Sequence, residues 1–206
     1  MNVIFVKHGK KYNYKHVNRL YHSLRSILDA DFYCYTEDNT GIDCKTIPIF
    51  NKPKLVRWWN KLSLFRKDFP LENKCMFFDL DIDVKYSFQK YLQEINWETL
   101  NLISAYYKRD NPKYLIPHAY NTILNSSVMA WTAGSQTHIW DKFAQNIDYH
   151  TRKYKGIDRF IFHENILYKY FPDGLVNSMD HPIGYDTPID MYSGENQKEI
   201  FDGKFL

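Results

Sequence analysis

Hydrophobic residues recur along this chain in two rhythms, short solid runs and a helical period, and the two alternate. Residues 3–6 are an unbroken apolar run and predict a first buried strand. Residues 14–28 then carry Val17, Leu20, Tyr21, Leu24, Ile27 and Leu28 at the spacing of one helix face. Residues 32–35 and 46–49 predict two further short strands, separated by the turn-forming Glu37-Asp38-Asn39-Thr40-Gly41. The helical period returns over residues 58–69 and stops at Pro70; a strand follows over residues 74–84. Beyond it the pattern predicts a helix over 88–95, a strand over 102–107, an apolar segment over 123–131, and helices over 137–147 and 159–170. This order implies a largely parallel α/β protein, a three-layer α/β/α sandwich.

Within that pattern the run Cys75-Met76-Phe77-Phe78-Asp79-Leu80-Asp81-Ile82-Asp83 stands out, because an apolar stretch passes directly into carboxylates at alternate positions. In open α/β sheets ligands bind beyond the carboxyl ends of inner strands, where Asp79 and Asp81 stand. Oxygen-only ligands suit a hard cation, Mn²⁺ or Mg²⁺, whose remaining positions go to water and substrate phosphate oxygens. The substrate implied is a phosphate or diphosphate. An EF-hand is excluded, since with Asp79 at position 1 the glycine of position 6 is Val84 and the glutamate of position 12 is Lys90.

Composition narrows this picture. A chain of 206 residues suits one core, and no linker divides it, so residues 1–206 are expected to form a single domain. After Asp173 the chain becomes rich in Gly, Pro, Asp and Ser, and 173–206 read as a loop-like tail that covers a site or orders around a ligand. Aromatics reach 17% of the residues, an excess compatible with stacking on sugars or bases. The net charge of +3 comes from scattered Lys and Arg, which argues against a nucleic-acid partner. Cys34, Cys44 and Cys75 have no metal or redox spacing and suit a reducing compartment. Lys7 and His8 interrupt the first apolar run too early for a membrane span or signal peptide, so a cytoplasmic location is expected.

The D-x-D at Asp79 and Asp81, on an inner strand of an α/β order, resembles that of GT-A glycosyltransferases, and most closely the retaining branch of glycogenin and the lipopolysaccharide galactosyltransferases. The resemblance extends upstream to Trp59-Asn60-Lys61-Leu62-Ser63-Leu64-Phe65, where Lys61 matches the basic residue that faces the nucleotide sugar. Downstream, Leu124-Asn125-Ser126-Ser127-Val128-Met129 resembles the N-S-G strand of the sugar pocket, with Ser127 in place of Gly. His181-Pro182-Ile183-Gly184-Tyr185-Asp186-Thr187-Pro188 resembles the H-x-x-G-x-x-K-P signature, with Thr187 in place of Lys. His163-Glu164 occupies the place of the D-Q dipeptide. On this resemblance the metal ligands are Asp79, Asp81 and His181, and the catalytic residues are Asp79, Asp81, Lys61 and Glu164. The nucleotide-sugar site comprises Val6, Lys7, His8, Tyr12, Lys61, Asp79, Leu80, Asn125 and Ser126.

The resemblance implies transfer of a hexose from a nucleoside-diphosphate sugar, UDP-glucose first and UDP-galactose second, to a carbohydrate, lipid or protein acceptor. Charge develops on the departing diphosphate as the sugar becomes oxocarbenium-like, so a divalent cation and Lys61 stabilise the transition state more than the ground state. Retention follows the resembling branch; an inverting enzyme would need a carboxylate base, for which Glu164 and Asp158 are the candidates. Two rival classes remain open at this point: a metal-dependent phosphatase of the haloacid dehalogenase type, whose D-x-D sits on the first strand, and a non-catalytic nucleotide-sugar binding module.

Overall fold

A computed structural model describes residues 1–108 and 122–192. In chain order the elements are β1 (Asn2–Lys7), α1 (Tyr14–Arg25), β2 (Asp31–Thr36), β3 (Lys45–Pro48), a 3₁₀ segment (Arg57–Phe65), β4 (Lys74–Phe78), β5 (Ile82–Val84) and α2 (Gln89–Leu92). There follow β6 (Leu100–Ser104), β7 (Leu124–Thr132), α3 (Thr137–Ala144), α4 (Ile147–Lys153), α5 (Ile157–His163), β8 (Tyr168–Tyr170), β9 (Val176–Ser178) and β10 (Ile189–Met191). The class is α/β, with a seven-stranded central sheet. The chain divides into two compact units, one of residues 1–49, 76–95 and 171–206, the other of residues 50–75 and 96–170.

In the first unit β1 lies parallel to β2, with Asn2 opposite Asp31 and Lys7 opposite Thr36, and β2 lies parallel to β3. Val3, Ile4 and Phe5 are fully buried, as are Met76, Phe77 and Phe78 of β4, so both runs are covered on both faces. Asn13 starts α1 through a capping box with His16, and Val17, Leu20 and Leu24 place the helix on the core. The acidic strand is broken: β4 ends at Phe78, residues 79–81 turn, and β5 begins at Ile82. The tail departs further from expectation. Its described part, to residue 192, contributes β9 and β10, which join β5 in a three-stranded sheet, β10 antiparallel to β5 and parallel to β9. Leu175, Ile189, Met191 and Tyr192 are buried, so these two strands are packed, while residues 181, 182 and 184–186 between them are exposed; residues 193–206 lie outside the described residues. Such short strands carry too few positions to show a period.

In the second unit β6 pairs antiparallel with β7 and parallel with β8. The helix expected over 58–69 is a 3₁₀ segment ending at Phe65, and every residue from Trp59 to Phe65 is buried. Tertiary packing overrides propensity here: Trp59 stacks on Phe143 with ring centroids 5.2 Å apart, and Phe65 meets Trp131 at 5.0 Å. The helix expected over 159–170 ends at His163. Asn165 takes a left-handed conformation (φ 52°), and Ile166 N–H bonds back to Ile161 O, a Schellman stop that frees Tyr168 to pair with Leu100.

Candidate active site

The carboxylate turn lies in the first unit and is held from several sides. Tyr12, in the loop that joins β1 to α1, donates its hydroxyl to Asp81 Oδ2 at 2.6 Å, and Lys11 Nζ stands 3.8 Å from the same oxygen. The Asp81 carbonyl accepts from Tyr192 N–H at 3.2 Å, immediately after β10. Arg19 of α1 donates through Nη2 to Leu80 O at 3.3 Å and to Ile82 O at 2.6 Å. Its Nη1 also lies 3.6 Å from Asp83 Oδ1, so the third carboxylate of the run is paired with Arg19. Burial pushes the Arg19 guanidinium down to about 10 against the raising influence of Asp83, Asp81 and Tyr192, which leaves it a cation at neutral pH.

The other residues expected at the nucleotide in this unit take distinct positions. Lys7 is buried at the end of β1 and directs Nζ to Asp38 O at 3.4 Å. His8 Nδ1 lies 3.0 Å from Glu37 Oε2, and Gly9 N–H donates to Glu37 Oε1 at 2.6 Å from a left-handed backbone (φ 70°). Burial raises the Glu37 carboxyl, but the bonds from Gly9 and His8 outweigh it and hold the group below the usual range. Val6 is half-buried, and Leu80 points its side chain into the core. His181 stands exposed in the turn joining β9 to β10, its N–H donating to Ser178 O at 3.0 Å. Asn177 Oδ1 accepts from Ile183 N–H and ties down the same turn. Thr187, where the resembling signature has lysine, is fully buried with its hydroxyl on Ile189 O. Among the described residues no three His, Cys, Asp or Glu side chains gather as a metal cluster, so Asp79, Asp81 and His181 are not a preassembled triad. Asp79 and Asp81 could hold a Mg²⁺-type ion, since such a site commonly takes one or two carboxylates and completes itself with water and substrate phosphate.

The second unit contributes the remaining candidates. Lys61 is 8% exposed, which removes it from the class of solvated surface charges. Asn125 and Ser126 open β7 at a break in register: Leu102 faces Met129 while the next residue, Ile103, faces Asn125. The extra residues form a bulge, a common means of presenting backbone and side chains to a ligand. Asn125 Oδ1 accepts from Ser127 N–H at 2.7 Å, and Asp158 Oδ1, in the first turn of α5, accepts from Ser126 N–H at 3.1 Å. Glu164 is committed to a network: Tyr154 OH donates to Oε1 at 2.5 Å, Lys142 Nζ lies 3.3 Å from Oε2, and Lys153 Nζ lies 3.6 Å from Oε1. Burial raises this carboxyl, but Tyr154 and the two lysines outweigh it and hold it below the usual range. A carboxyl so depressed is a weak base.

No protein-family model matches the chain, and no curated protein matches it in sequence. Solved structures do match. The galactosyltransferase LgtC, solved with donor and acceptor sugar analogues, superposes with a TM-score of 0.64 at 9% identity, over 100% of this chain and 96% of LgtC. The glycosyltransferase GlyE of Streptococcus pneumoniae TIGR4 gives 0.69 at 14% identity, over 99% of this chain and 60% of GlyE. A glycosyltransferase involved in glycosylation of the major capsid of PBCV-1 gives 0.60 at 10% identity, over 98% of both chains. The fold is that of the GT-A glycosyltransferases. Identities this low establish the GT-A fold and not the chemistry, which rests on the side chains described above.

Lys11 and Arg19 are the residues that sequence reasoning missed. Lys11 is one of two adjacent lysines and carries no pattern of its own. Arg19 sits in an amphipathic helix, where an isolated Arg ordinarily marks the solvated face.

Proposed function

We propose that this protein is a metal-dependent glycosyltransferase that moves a hexose from a nucleoside-diphosphate sugar to a carbohydrate, lipid or protein acceptor. The observation that carries the reading is the turn after β4, where Asp81 is fixed through its carbonyl and carboxylate at the end of a fully buried strand, in a fold shared with glycosyltransferases. UDP-glucose is the first donor and UDP-galactose the second, with retention at the transferred carbon; the sequence resemblance supports these choices. Asp79 and Asp81 would hold Mn²⁺ or Mg²⁺, with His181 as a further ligand when the site is loaded. A cation held there would supply positive charge to the departing diphosphate. The sequence resemblance supports Lys61 as a further cation for the diphosphate and Asn125 and Ser126, at a bulge braced by Asp158, as sugar-pocket residues. Glu164 then acts by holding its helices rather than as a base. Three free cysteines accord with a reducing, cytoplasmic setting, and among the described residues no helix is long and apolar enough to cross a membrane.

The test is a panel of nucleotide sugars with Mn²⁺, read by release of nucleoside diphosphate, since donor hydrolysis needs no acceptor. Turnover of a UDP-hexose that disappears with chelator and in Asp81→Asn is expected. Phosphate release from simple phosphomonoesters instead would assign a phosphatase, and binding without turnover a carrier module.

A further inference from the structure

Three consecutive carbonyls of the carboxylate turn are held from outside it: Leu80 O and Ile82 O by one nitrogen of Arg19, and Asp81 O by Tyr192 N–H. Leu80 and Ile82 are buried, so their carbonyls need partners from within the protein, and here a charged side chain supplies them in place of water or a neighbouring strand. It is also costly, because the Arg19 side chain is 13% exposed and burying a guanidinium carries a desolvation penalty that an apolar side chain avoids. We infer that Arg19 is a positioning residue for the metal site, acting through the backbone of residues 80–82 to present the Asp81 carboxylate in its ligating orientation, with β10 completing the clamp through Tyr192. The inference rests on the transferase reading for its purpose, and on the D-x-D metal site for its test.

The chemistry explains why arginine is needed. In the planar guanidinium Nη2 reaches both carbonyls while Nη1 faces Asp83; an ammonium has one nitrogen and no fixed plane, so it cannot hold the two carbonyls in this geometry and face Asp83 at once. Without it, Leu80 O and Ile82 O lose their donor and the turn is free to repack, so Asp81 reaches the cation only after reordering. Groups that orient a metal ligand in this way typically cost about 10- to 100-fold in metal affinity when removed.

The experiment titrates Mn²⁺ into the protein with UDP present and reads free Mn²⁺ by electron paramagnetic resonance, alongside thermal unfolding. Arg19→Met, which keeps the packing, and Arg19→Lys, which keeps the charge beside Asp83, should both weaken Mn²⁺ by about tenfold or more. Donor hydrolysis in both should recover as Mn²⁺ is raised, a rescue that a purely structural role would not produce. A Mn²⁺ affinity within about twofold of wild type in either folded variant would overturn the inference, and Arg19→Lys carries the test if Arg19→Met does not fold. Wild-type Mn²⁺ binding without donor turnover would sink the transferase reading and leave the Arg19 comparison intact. Absence of Mn²⁺ binding in wild type would overturn both.

Discussion

Lys61 shows how burial changes the meaning of a residue. On sequence alone it is one charge in an amphipathic stretch; in the fold it is 8% exposed, among seven consecutive buried residues of a 3₁₀ segment. An amine so placed is either structural or aimed at an anion. If it faces the departing diphosphate, Lys61→Met, which preserves volume, should cost ~2 to 4 kcal/mol in the transition state, about 30- to 1,000-fold in kcat/KM. Equal loss in kcat and kcat/KM with an unchanged melting temperature is the expected signature, and intact kcat/KM would return Lys61 to packing. Asp79 and Asp81 stand out as candidates because an apolar run ending in alternate carboxylates is readable within one short segment. Arg19 was not, because its partners Leu80, Ile82 and Asp83 lie more than sixty residues away, and only the fold brings them to one guanidinium. Glu164 was assigned by its place in the chain, which carries no information about Tyr154, Lys142 and Lys153.

At the scale of elements, agreement did not follow length alone. β1, α1, β2 and the four-residue β3 lie close to where the pattern puts them, and the apolar segment over 123–131 is strand β7, while the long helices expected over 58–69 and 159–170 are a 3₁₀ segment and a helix that stops at His163. Each strand of the β5, β9 and β10 sheet has three residues, and their pairing depends on register rather than pattern. Asn165 was the missed stop signal, a residue that tolerates the left-handed conformation and ends α5 there. The Glu164 network is an element-scale device, since it ties the end of α5 to Lys142 of α3 and to Lys153 of α4. Its carboxyl is depressed in the folded state, so the stabilisation is fully present above the unfolded pKa near 4.5 and is lost as pH falls through the lower folded value. Glu164→Gln should therefore lower the melting temperature at pH 7 and narrow its gap to wild type as pH falls below about 4.5. A gap that does not change with pH would show that the hydrogen bond from Tyr154, not the charge, is what matters.

For the whole molecule the question is what binds the diphosphate. The resembling signature supplies a lysine where this chain has Thr187, and that side chain is fully buried with its hydroxyl on Ile189 O, so no cation comes from this position. On the proposed reading, affinity then leans on a metal that Asp79 and Asp81 would hold. UDP binding measured by calorimetry with Mn²⁺ should accordingly fall by about a hundredfold, ~2.7 kcal/mol, when the metal is chelated. His181 enters the same measurement separately. It is exposed, but its turn is pinned by His181 N–H on Ser178 O and by Asn177 on Ile183, and β9 and β10 on either side are buried. If His181 is a ligand of the proposed metal, His181→Ala should weaken UDP by about tenfold with Mn²⁺ and leave the chelated protein unchanged. Wild-type affinity in His181→Ala with chelation still effective would remove His181 from the site and keep the two carboxylates. Equal affinity in all three conditions would instead place the diphosphate on protein cations alone and end the metal reading of this fold.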